Sequence, residues 1–369
     1  MGNLPLGNFL YICTGFATYK YIIMTKIVKS PFQFGTLATK DNFIDRVEDR
    51  ALLKQLLSSH INTMLVSPRR WGKSSLVKMA MDELLAEDKS VRVCYIDGFS
   101  IGSEDEFYRV FASQVIACTS NKVERWISDA KSDKNTILQL PELLGKEKGL
   151  HIIVCIDEFQ QLANLPQYKD MEGKMRSAWQ QQEHVSYCFY GSKRTMMLEI
   201  FNNSNSPFYR FGQVIFMDKI AKEDWIPFIT SSFEKTGKKC SAEYASRICD
   251  IVECHSWYLQ QLCYFIWSYT DDEVDEDSYN RGLRQTLNIN TPMFQNDTEN
   301  LSQSQIEMLR AISNGETKLS SEDVKRRYSL GNPNTITKNK LALVKRDILD
   351  NDKGILTFVD PLYRIWLKG

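Results

Sequence analysis

In the first 220 residues, short apolar runs alternate with longer stretches in which apolar side chains recur at helical spacing. Short runs rich in apolar and β-branched residues predict strands, and the helical spacing predicts amphipathic helices between them. The run 152–156 is apolar without interruption, which is typical of a strand covered on both faces. The pattern predicts an α/β fold with a parallel sheet, whose strands we expect at residues 61–66, 91–97, 150–159, 185–190 and 214–217.

The pattern changes after residue 220, where only helical periodicity remains. It predicts helices around residues 225–229, 244–252 and 257–269. We interpret this segment as a helical lid over the edge of the sheet where ligands bind, and a plain packing subdomain is the alternative.

The tail from Leu301 predicts three helices followed by a β-hairpin, which is the element order of a winged helix. The predicted organisation therefore has four parts. They are an extension that we expect to be poorly ordered at residues 1–29, an α/β core at 30–220, the lid at 221–295 and the winged helix at 296–369.

Composition and charge add a few constraints to this organisation. The chain has 369 residues, enough for two or three domains, and its 46 basic residues balance its 46 acidic ones. No overall charge therefore draws it to nucleic acid or to a membrane. Nine cysteines without C-x-x-C pairs or zinc spacing indicate a reducing, cytoplasmic setting and no structural metal. Residues 9–19 are apolar but too short to span a bilayer; they are either a signal peptide or, as we expect, lie upstream of a start at Met24.

The loop at residues 67–75 carries the first candidate chemistry. It lies between a predicted strand and a predicted helix, which is the context of a phosphate-binding loop of pattern GxxxxGK[ST]. Main-chain N–H groups at a helix start attract phosphates, Lys73 would reach the β- and γ-phosphates, and the Ser74 hydroxyl would bind Mg²⁺. The alternative is a surface turn with a helix cap at Ser74. The candidate nucleotide-binding residues are Ser67, which replaces the first glycine, Pro68, Arg69, Arg70, Trp71, Gly72, Lys73, Ser74 and Ser75.

Asp157 and Glu158 form the second candidate group. They end the buried run 152–156, at the strand edge where open α/β sheets bind ligands. Asp157 would hold Mg²⁺, directly or through water, and Glu158 would take a proton from the attacking water. A strand end that is simply exposed to water is the alternative. The functional interpretation requires that Lys73 and this acidic pair converge on one triphosphate.

Three further candidates follow from position along the chain. Phe43 precedes a helix that Asp45 would cap, and it would lie over the adenine ring or else only pack against the core. Ser192 follows the strand 185–190 and would sense the γ-phosphate, or else cap the next helix. Arg210 would stabilise charge on the transferred phosphoryl group, in its own or a neighbouring subunit, and is otherwise a surface arginine.

The winged helix carries a small excess of positive charge. Between Leu301 and Gly369 there are 12 basic and 8 acidic side chains, so the difference of 12 and 8 is +4. Basic side chains on or near its third helix would meet the phosphates of duplex DNA. Winged helices also contact proteins, so a DNA partner and a protein partner both stay open. The basic side chains are Lys338, Lys340, Lys345 and Arg346.

Several of these stretches resemble the archaeal-type P-loop ATPases, a family related to the AAA and STAND classes and also frequent in bacteria. The resemblance implies a parallel sheet with strand order 5-1-4-3-2, a helical lid and a C-terminal winged helix. It also implies Mg²⁺-dependent ATP binding and hydrolysis by a switch. The alternative is a nucleotide-dependent regulator that binds DNA or protein and has negligible turnover. The resemblance is carried by residues 43–46, 67–74, 156–160, 191–192, 209–210 and 360–366.

Overall fold

The computed structural model describes residues 29–38, 43, 44, 46–119, 133–352 and 354–368. Two predictions lie outside these residues, namely the state of the chain before Lys29 and the helix cap at Asp45. Within the described ranges, no helix combines the length and the apolar character that a membrane crossing requires. The eight cysteines of these ranges are all free.

A sheet of five parallel strands lies at the centre of the molecule: β1 (Thr63–Val66), β2 (Val91–Asp97), β3 (His151–Asp157), β4 (Val185–Gly191) and β5 (Gln213–Phe216). The strands are ordered β2-β3-β4-β1-β5, which read from the other edge is the expected order 5-1-4-3-2. In register, Val66 at the end of β1 lies opposite Gly191 of β4. Asp157 at the end of β3 lies opposite Asp97 of β2. The carboxyl ends of all five strands therefore share one edge.

Helices cover both faces of this sheet. Alternate residues of β3 enter two different apolar clusters, with Val154 in one and Cys155 in the other. This burial on both faces confirms the interpretation of the uninterrupted run as a central strand. The flanking helices are α1 (Val47–Ser58), α2 (Lys73–Glu87), α3 (Glu104–Thr119), α4 (Lys134–Lys148), α5 (Tyr168–Trp179) and α6 (Arg194–Asn202).

The lid and the winged helix follow as expected. The lid consists of α7 (Lys222–Glu234), α8 (Ala242–Ile251), α9 (Ser256–Tyr269) and α10 (Glu276–Glu299). The winged helix consists of α11 (Gln303–Ser313), α12 (Glu322–Tyr328), α13 (Pro333–Lys345), the hairpin β6 (Leu349–Asp352) and β7 (Ile355–Phe358), and α14 (Pro361–Trp366). The hairpin strands pair antiparallel, as a wing requires.

The lid and the winged helix share one apolar cluster, which joins them into a single unit. Phe294 of α10 is fully buried in it, with its ring 5.4 Å from Tyr363 and 5.9 Å from Trp366 of α14. Phe32 also belongs to this cluster and lies 5.3 Å from Phe233. We call residues 222–368 the C-terminal body, and the described residues between 46 and 216 the α/β core.

Candidate functional site

The loop between β1 and α2 turns sharply at the carboxyl edge of the sheet. Arg70 and Gly72 adopt the left-handed backbone conformation, with φ of 66° and 91°. No atom lies within 4 Å of the place where a Cβ on Gly72 would stand, so the conformation favours glycine there. Ser67 is 1% exposed, and its Oγ donates to the Pro68 carbonyl at 2.9 Å. No side chain caps the start of α2, which leaves its first N–H groups to a ligand.

Lys73 and Ser74, the first residues of α2, meet the acidic pair at the end of β3. Lys73 Nζ lies 3.4 Å from Glu158 Oε1, and Ser74 Oγ donates to Asp157 Oδ2 at 2.7 Å. Lys73 is only 6% exposed, so the carboxylate compensates a nearly buried cation. The structure thus brings together four residues that lie far apart in sequence. Ser74 is not a helix cap, because α2 begins one residue before it.

Ser192 lies just beyond β4 and contacts the acidic pair. Its hydroxyl donates to Glu158 Oε2 at 2.7 Å, and Arg69 Nε lies 3.3 Å from the same hydroxyl. The alternative interpretation of Ser192 as a helix cap is wrong, because α6 begins at Arg194 with Lys193 in the cap position. The structure therefore places Ser192 between the loop and the candidate base.

The two neighbouring carboxyl groups have pKa values shifted in opposite directions. Burial raises the pKa of Asp157 above its ordinary value, and the nearby Lys73 only partly offsets this. Burial also acts to raise the pKa of Glu158, but the charge of Lys73 and hydrogen bonds from Ser192 and Gln160 outweigh it, so this pKa is lowered. Glu158, whose pKa is lowered, is therefore ionised at neutral pH and can accept a proton.

A cavity of about 400 Å³ opens beside the loop. This volume lies within the range of small-molecule sites. Phe43 lines it, and the Arg50 guanidinium lies 5.3 Å from the Phe43 ring centroid. One wall consists of residues 43, 44, 46 and 70–75, and the facing wall of residues 33–38, 220, 225, 256, 257 and 260. The cavity is therefore shared between the α/β core and the lid.

Sequence reasoning expected a lid over this edge of the sheet but did not identify the residues that form the second wall of this cavity. The Gln33 N–H donates to Gln260 Oε1 at 3.2 Å, and the Ala38 N–H donates to Ser75 Oγ at 3.0 Å. No periodicity marks residues 33–38, and the aromatic residues of α9 recur at the spacing of ordinary core residues. Only their position opposite the loop identifies them, so no signal in the sequence could have found them.

Arg70 connects the loop to the C-terminal body. Its Nη1 donates to the Tyr258 hydroxyl at 3.2 Å, and its guanidinium lies 5.0 Å from the Trp257 ring centroid. The Tyr258 hydroxyl donates in turn to Asp360, whose carboxylate caps α14 through the N–H groups of residues 362 and 363. One chain of hydrogen bonds thus runs from the loop through the lid to the winged helix.

Arg210 is not brought to this site. It lies before the amino end of β5, whereas the loop and the acidic pair lie at the carboxyl ends of parallel strands. Its side chain is exposed, and the guanidinium lies 5.2 Å from the Tyr209 ring centroid. A role toward a neighbouring subunit, which would require an oligomer, stays a prediction.

The oxygen atoms at the loop suit a magnesium ion. In the part of the chain that the structure describes, no group of three or more His, Cys, Asp or Glu side chains is placed to hold a metal. Ser74 and Asp157 offer two oxygen atoms 2.7 Å apart. Such a sparse protein set fits Mg²⁺, which keeps several waters and shares phosphate oxygens.

Comparison with known families agrees with this geometry. Residues 43–262 match the family model described as an ATPase domain predominantly from Archaea. Residues 292–369 match a model described as a probable winged helix domain. The comparison with curated proteins finds no match.

Solved structures with the same fold cover nearly the whole chain. A Walker-type ATPase of Pyrococcus abyssi matches with a TM-score of 0.72 and 17% identity, covering 89% of this chain and 97% of that one. The ORC2 protein of Aeropyrum pernix, in ADPNP–ADP complexes, matches with a TM-score of 0.62 and 14% identity, over 91% and 96% of the two chains. The ORC1 protein of Aeropyrum pernix in complex with DNA matches with a TM-score of 0.51 and 12% identity, covering 88% of this chain and 92% of that one. At these identities the similarity shows the fold alone.

Proposed function

Because the chain belongs to the family of ATPase domains found predominantly in Archaea, we propose that it binds ATP with Mg²⁺ and hydrolyses it as a nucleotide-dependent switch. The observation that carries this proposal is the meeting of two pairs of side chains. Lys73 lies 3.4 Å from Glu158, and Ser74 lies 2.7 Å from Asp157. The ORC2 protein, which has a similar fold and was solved in nucleotide complexes, supports nucleotide binding by a chain of this fold.

Each side chain of the site has a role in this mechanism. Lys73 and the first N–H groups of α2 hold the β- and γ-phosphates. Ser74 and Asp157 hold the Mg²⁺ ion, which when bound neutralises charge developing on the phosphates. Glu158 accepts a proton from the attacking water, since its lowered pKa keeps it ionised at neutral pH. Once a phosphate pairs with Lys73, Glu158 Oε1 is released for that water.

The shared cavity beside the loop would take the nucleoside. Phe43 would contact the adenine from the core side, and Trp257 would close the cavity from the lid. A base bound there bridges the α/β core and the lid, so nucleotide occupancy can change how they are held together. The hydrogen-bond chain from Arg70 through Tyr258 to Asp360 supports a winged helix that reports the nucleotide state.

Phosphate release tests the proposed hydrolysis. Glu158→Gln should lower the rate by about 10²- to 10⁴-fold, because the base is lost, while ATP still binds in titration calorimetry. Lys73→Ala should lose ATP binding itself. Glu147→Gln, at an exposed position on α4, is the matched control and should change neither quantity. Equal release by the wild type and Glu158→Gln would discard Glu158 as the base, and release by the wild type no faster than in buffer alone would reject hydrolysis and leave the regulator with negligible turnover.

A second candidate function is binding of duplex DNA by the winged helix. Helix α13 contains no acidic residue, and its Lys338, Lys340 and Lys345 form no ion pair with any described residue. The cations of α12 are instead neutralised, for example Lys325 by Glu322 at 2.5 Å. Unpaired lysines on a recognition helix favour phosphate contacts over a protein partner. The ORC1 protein, solved in complex with DNA, has a similar fold.

Fluorescence anisotropy with duplex DNA at several salt concentrations tests this candidate. The double variant Lys338→Ala, Lys345→Ala should weaken binding and reduce the slope of log affinity against log salt by about 1 per lysine. Arg326→Ala removes a cation already paired with Asp323 at 3.3 Å and is the control. Absence of salt-sensitive binding by the wild type would reject DNA and favour a protein partner.

A further inference from the structure

Gln160 is a buried side chain in direct contact with Glu158. It is 0% exposed, and its Nε2 donates to Glu158 Oε2 at 2.5 Å. Its other amide atom, Oε1, is buried and has no hydrogen-bond partner among the described residues. An unpaired buried carbonyl destabilises a fold, so a residue that keeps one is a candidate for function.

The orientation of the Gln160 amide follows from its two neighbours. A carboxylate only accepts hydrogen bonds, so the NH₂ group must face Glu158 and Oε1 must face away. A Cβ on Gly191 would stand 1.9 Å from Oε1, closer than any real contact allows. Gly191 is not in the left-handed region, so space rather than backbone conformation requires glycine here. The carboxamide occupies the volume that a side chain at the end of β4 would take.

The backbone between β3 and α5 holds Gln160 in this place. Glu158 adopts the left-handed conformation with φ of 47°, which is strained for a residue with a side chain. A short 3₁₀ helix, Phe159–Asn164, follows at once. The turn brings the side chain of Gln160 back onto the carboxylate two residues earlier.

We infer that Gln160 is a positioning residue for Glu158, and this inference rests on the proposed hydrolysis. Gln160 and the Ser192 hydroxyl both donate to Oε2, at 2.5 and 2.7 Å. Oε1 faces Lys73 at 3.4 Å. The Ser192 main-chain N–H also donates to Oε2, at 3.4 Å. With Oε2 held by these three donors, the plane of the carboxylate is set and Oε1 is the oxygen that takes the proton from water. Gly191 contributes to the positioning of Glu158 because it leaves room for the Gln160 carboxamide.

Steady-state kinetics of Gln160→Met tests the inference, since methionine keeps the length of the side chain and removes the donor. The kcat should fall by about 10- to 100-fold with KM and the calorimetric affinity for ATP unchanged, because only the orientation of the Glu158 carboxylate is lost. Gln161→Met is the matched control: Gln161 lies in the same turn, but its side-chain Oε1 accepts from Asn164 Nδ2 at 2.9 Å, and only its main-chain N–H bonds Glu158, at the carbonyl oxygen. A rise in KM with unchanged kcat would overturn the positioning role.

A double-mutant cycle tests the role of Gly191. Gly191→Ala should lower kcat as Gln160→Met does, because the added carbon displaces the carboxamide. In a Gln160→Ala background, Gly191→Ala should lower kcat no further, because Gln160 Oε1, the atom nearest to the added carbon, is absent. The other close atom, Met197 Sδ at 2.8 Å, ends a flexible side chain and can shift. Equal losses in both backgrounds would overturn the inference.

A structural measurement separates this inference from the proposed function. If the wild type releases phosphate no faster than buffer alone, the proposed hydrolysis fails whatever Gln160 does. Crystal structures of the wild type and Gln160→Met then still decide the positioning role. A Glu158 carboxylate that turns away from Ser192 in the variant supports it, and an unchanged carboxylate overturns it.

Discussion

The α/β core and the C-terminal body are built around separate apolar clusters and joined by polar contacts. In the core, one cluster lies on each face of the sheet. In the C-terminal body, a single cluster runs from the lid into the winged helix. Among the described residues, no buried cluster is common to both. Contacts between the two units include Arg70 with Tyr258 at 3.2 Å and Arg194 with Asp350 at 3.6 Å.

This difference shows which parts of the molecule can move together. Separating the lid from the winged helix would expose buried aromatic and aliphatic surface, which is costly. Changing the contacts between the core and the C-terminal body exchanges polar contacts for water, which costs much less. In the proposed function, a nucleotide in the shared cavity would act where the molecule is easiest to rearrange, and the lid and winged helix should respond as one unit.

Among the tests of this comparison, Phe294→Ala should have the largest effect. Removing a fully buried ring from the shared cluster should lower the free energy of unfolding of the C-terminal body by about 3–5 kcal/mol. Hydrogen exchange measured by mass spectrometry should show lost protection in both the lid and the winged helix. Phe201→Ala, in the core cluster, is the matched variant and should affect the sheet instead. Loss confined to the winged helix would show that the lid is a separate unit.

Acid should weaken each unit through a histidine of its own. Burial, aided by the charges of Lys219 and Arg70, lowers the pKa of His255 in the C-terminal body to about 3. Burial, aided by His60, lowers the pKa of His151 in the core to about 4. The unfolded chain, with a pKa of about 6.5, then binds more protons below that pH, so stability is full above pH 6.5 and falls as pH decreases.

At pH 5 each histidine should cost about 2 kcal/mol of stability. Unfolding free energies measured at pH 7.5 and pH 5 check this for the wild type, His255→Asn and His151→Asn. Each variant should lose less stability than the wild type between pH 7.5 and pH 5. At pH 5, hydrogen exchange should show the gain in protection in the unit that carries the substituted histidine. A gain in protection spread over both units would contradict the division into an α/β core and a C-terminal body.

The smallest effect is expected at the polar junction. Tyr258→Phe removes the hydroxyl that joins Arg70 to Asp360 and should cost about 1.5 kcal/mol, as for a hydrogen bond to a charged group. Both units should stay folded, while amide exchange rises in the loop 67–75. Tyr264→Phe, whose hydroxyl has no hydrogen bond within the described residues, is the control. Unchanged exchange in the loop would show that this hydroxyl does not hold the units together.

The sequence predicted the sheet and the centre of the site because both depend on local pattern. An uninterrupted run such as 152–156 has one common structural interpretation, and Gly72-Lys73-Ser74 after a strand has one common chemistry. The carboxyl ends of parallel strands then bring the acidic pair to the loop without further information.

The features that the sequence did not predict depend on pairs of residues far apart in the chain. Phe294 and the preceding Met293 are the apolar residues of an otherwise polar stretch of α10, and the ring partners of Phe294 belong to α14. Arg70 finds Tyr258 188 positions later, and the space for Gln160 depends on Gly191. Such pairings are decided by tertiary packing, which no periodicity records.

Helix α10 extends from the lid to the winged helix in the C-terminal body. Its 24 residues begin at the Asp275 capping box in the lid and end where the winged helix begins. At 1.5 Å per residue the helix is about 36 Å long, so a rotation of about 10° at its capped end carries the other end through about 6 Å. In the proposed switch, a rotation of this size would displace the surface that a partner would contact by about the pitch of a helical turn.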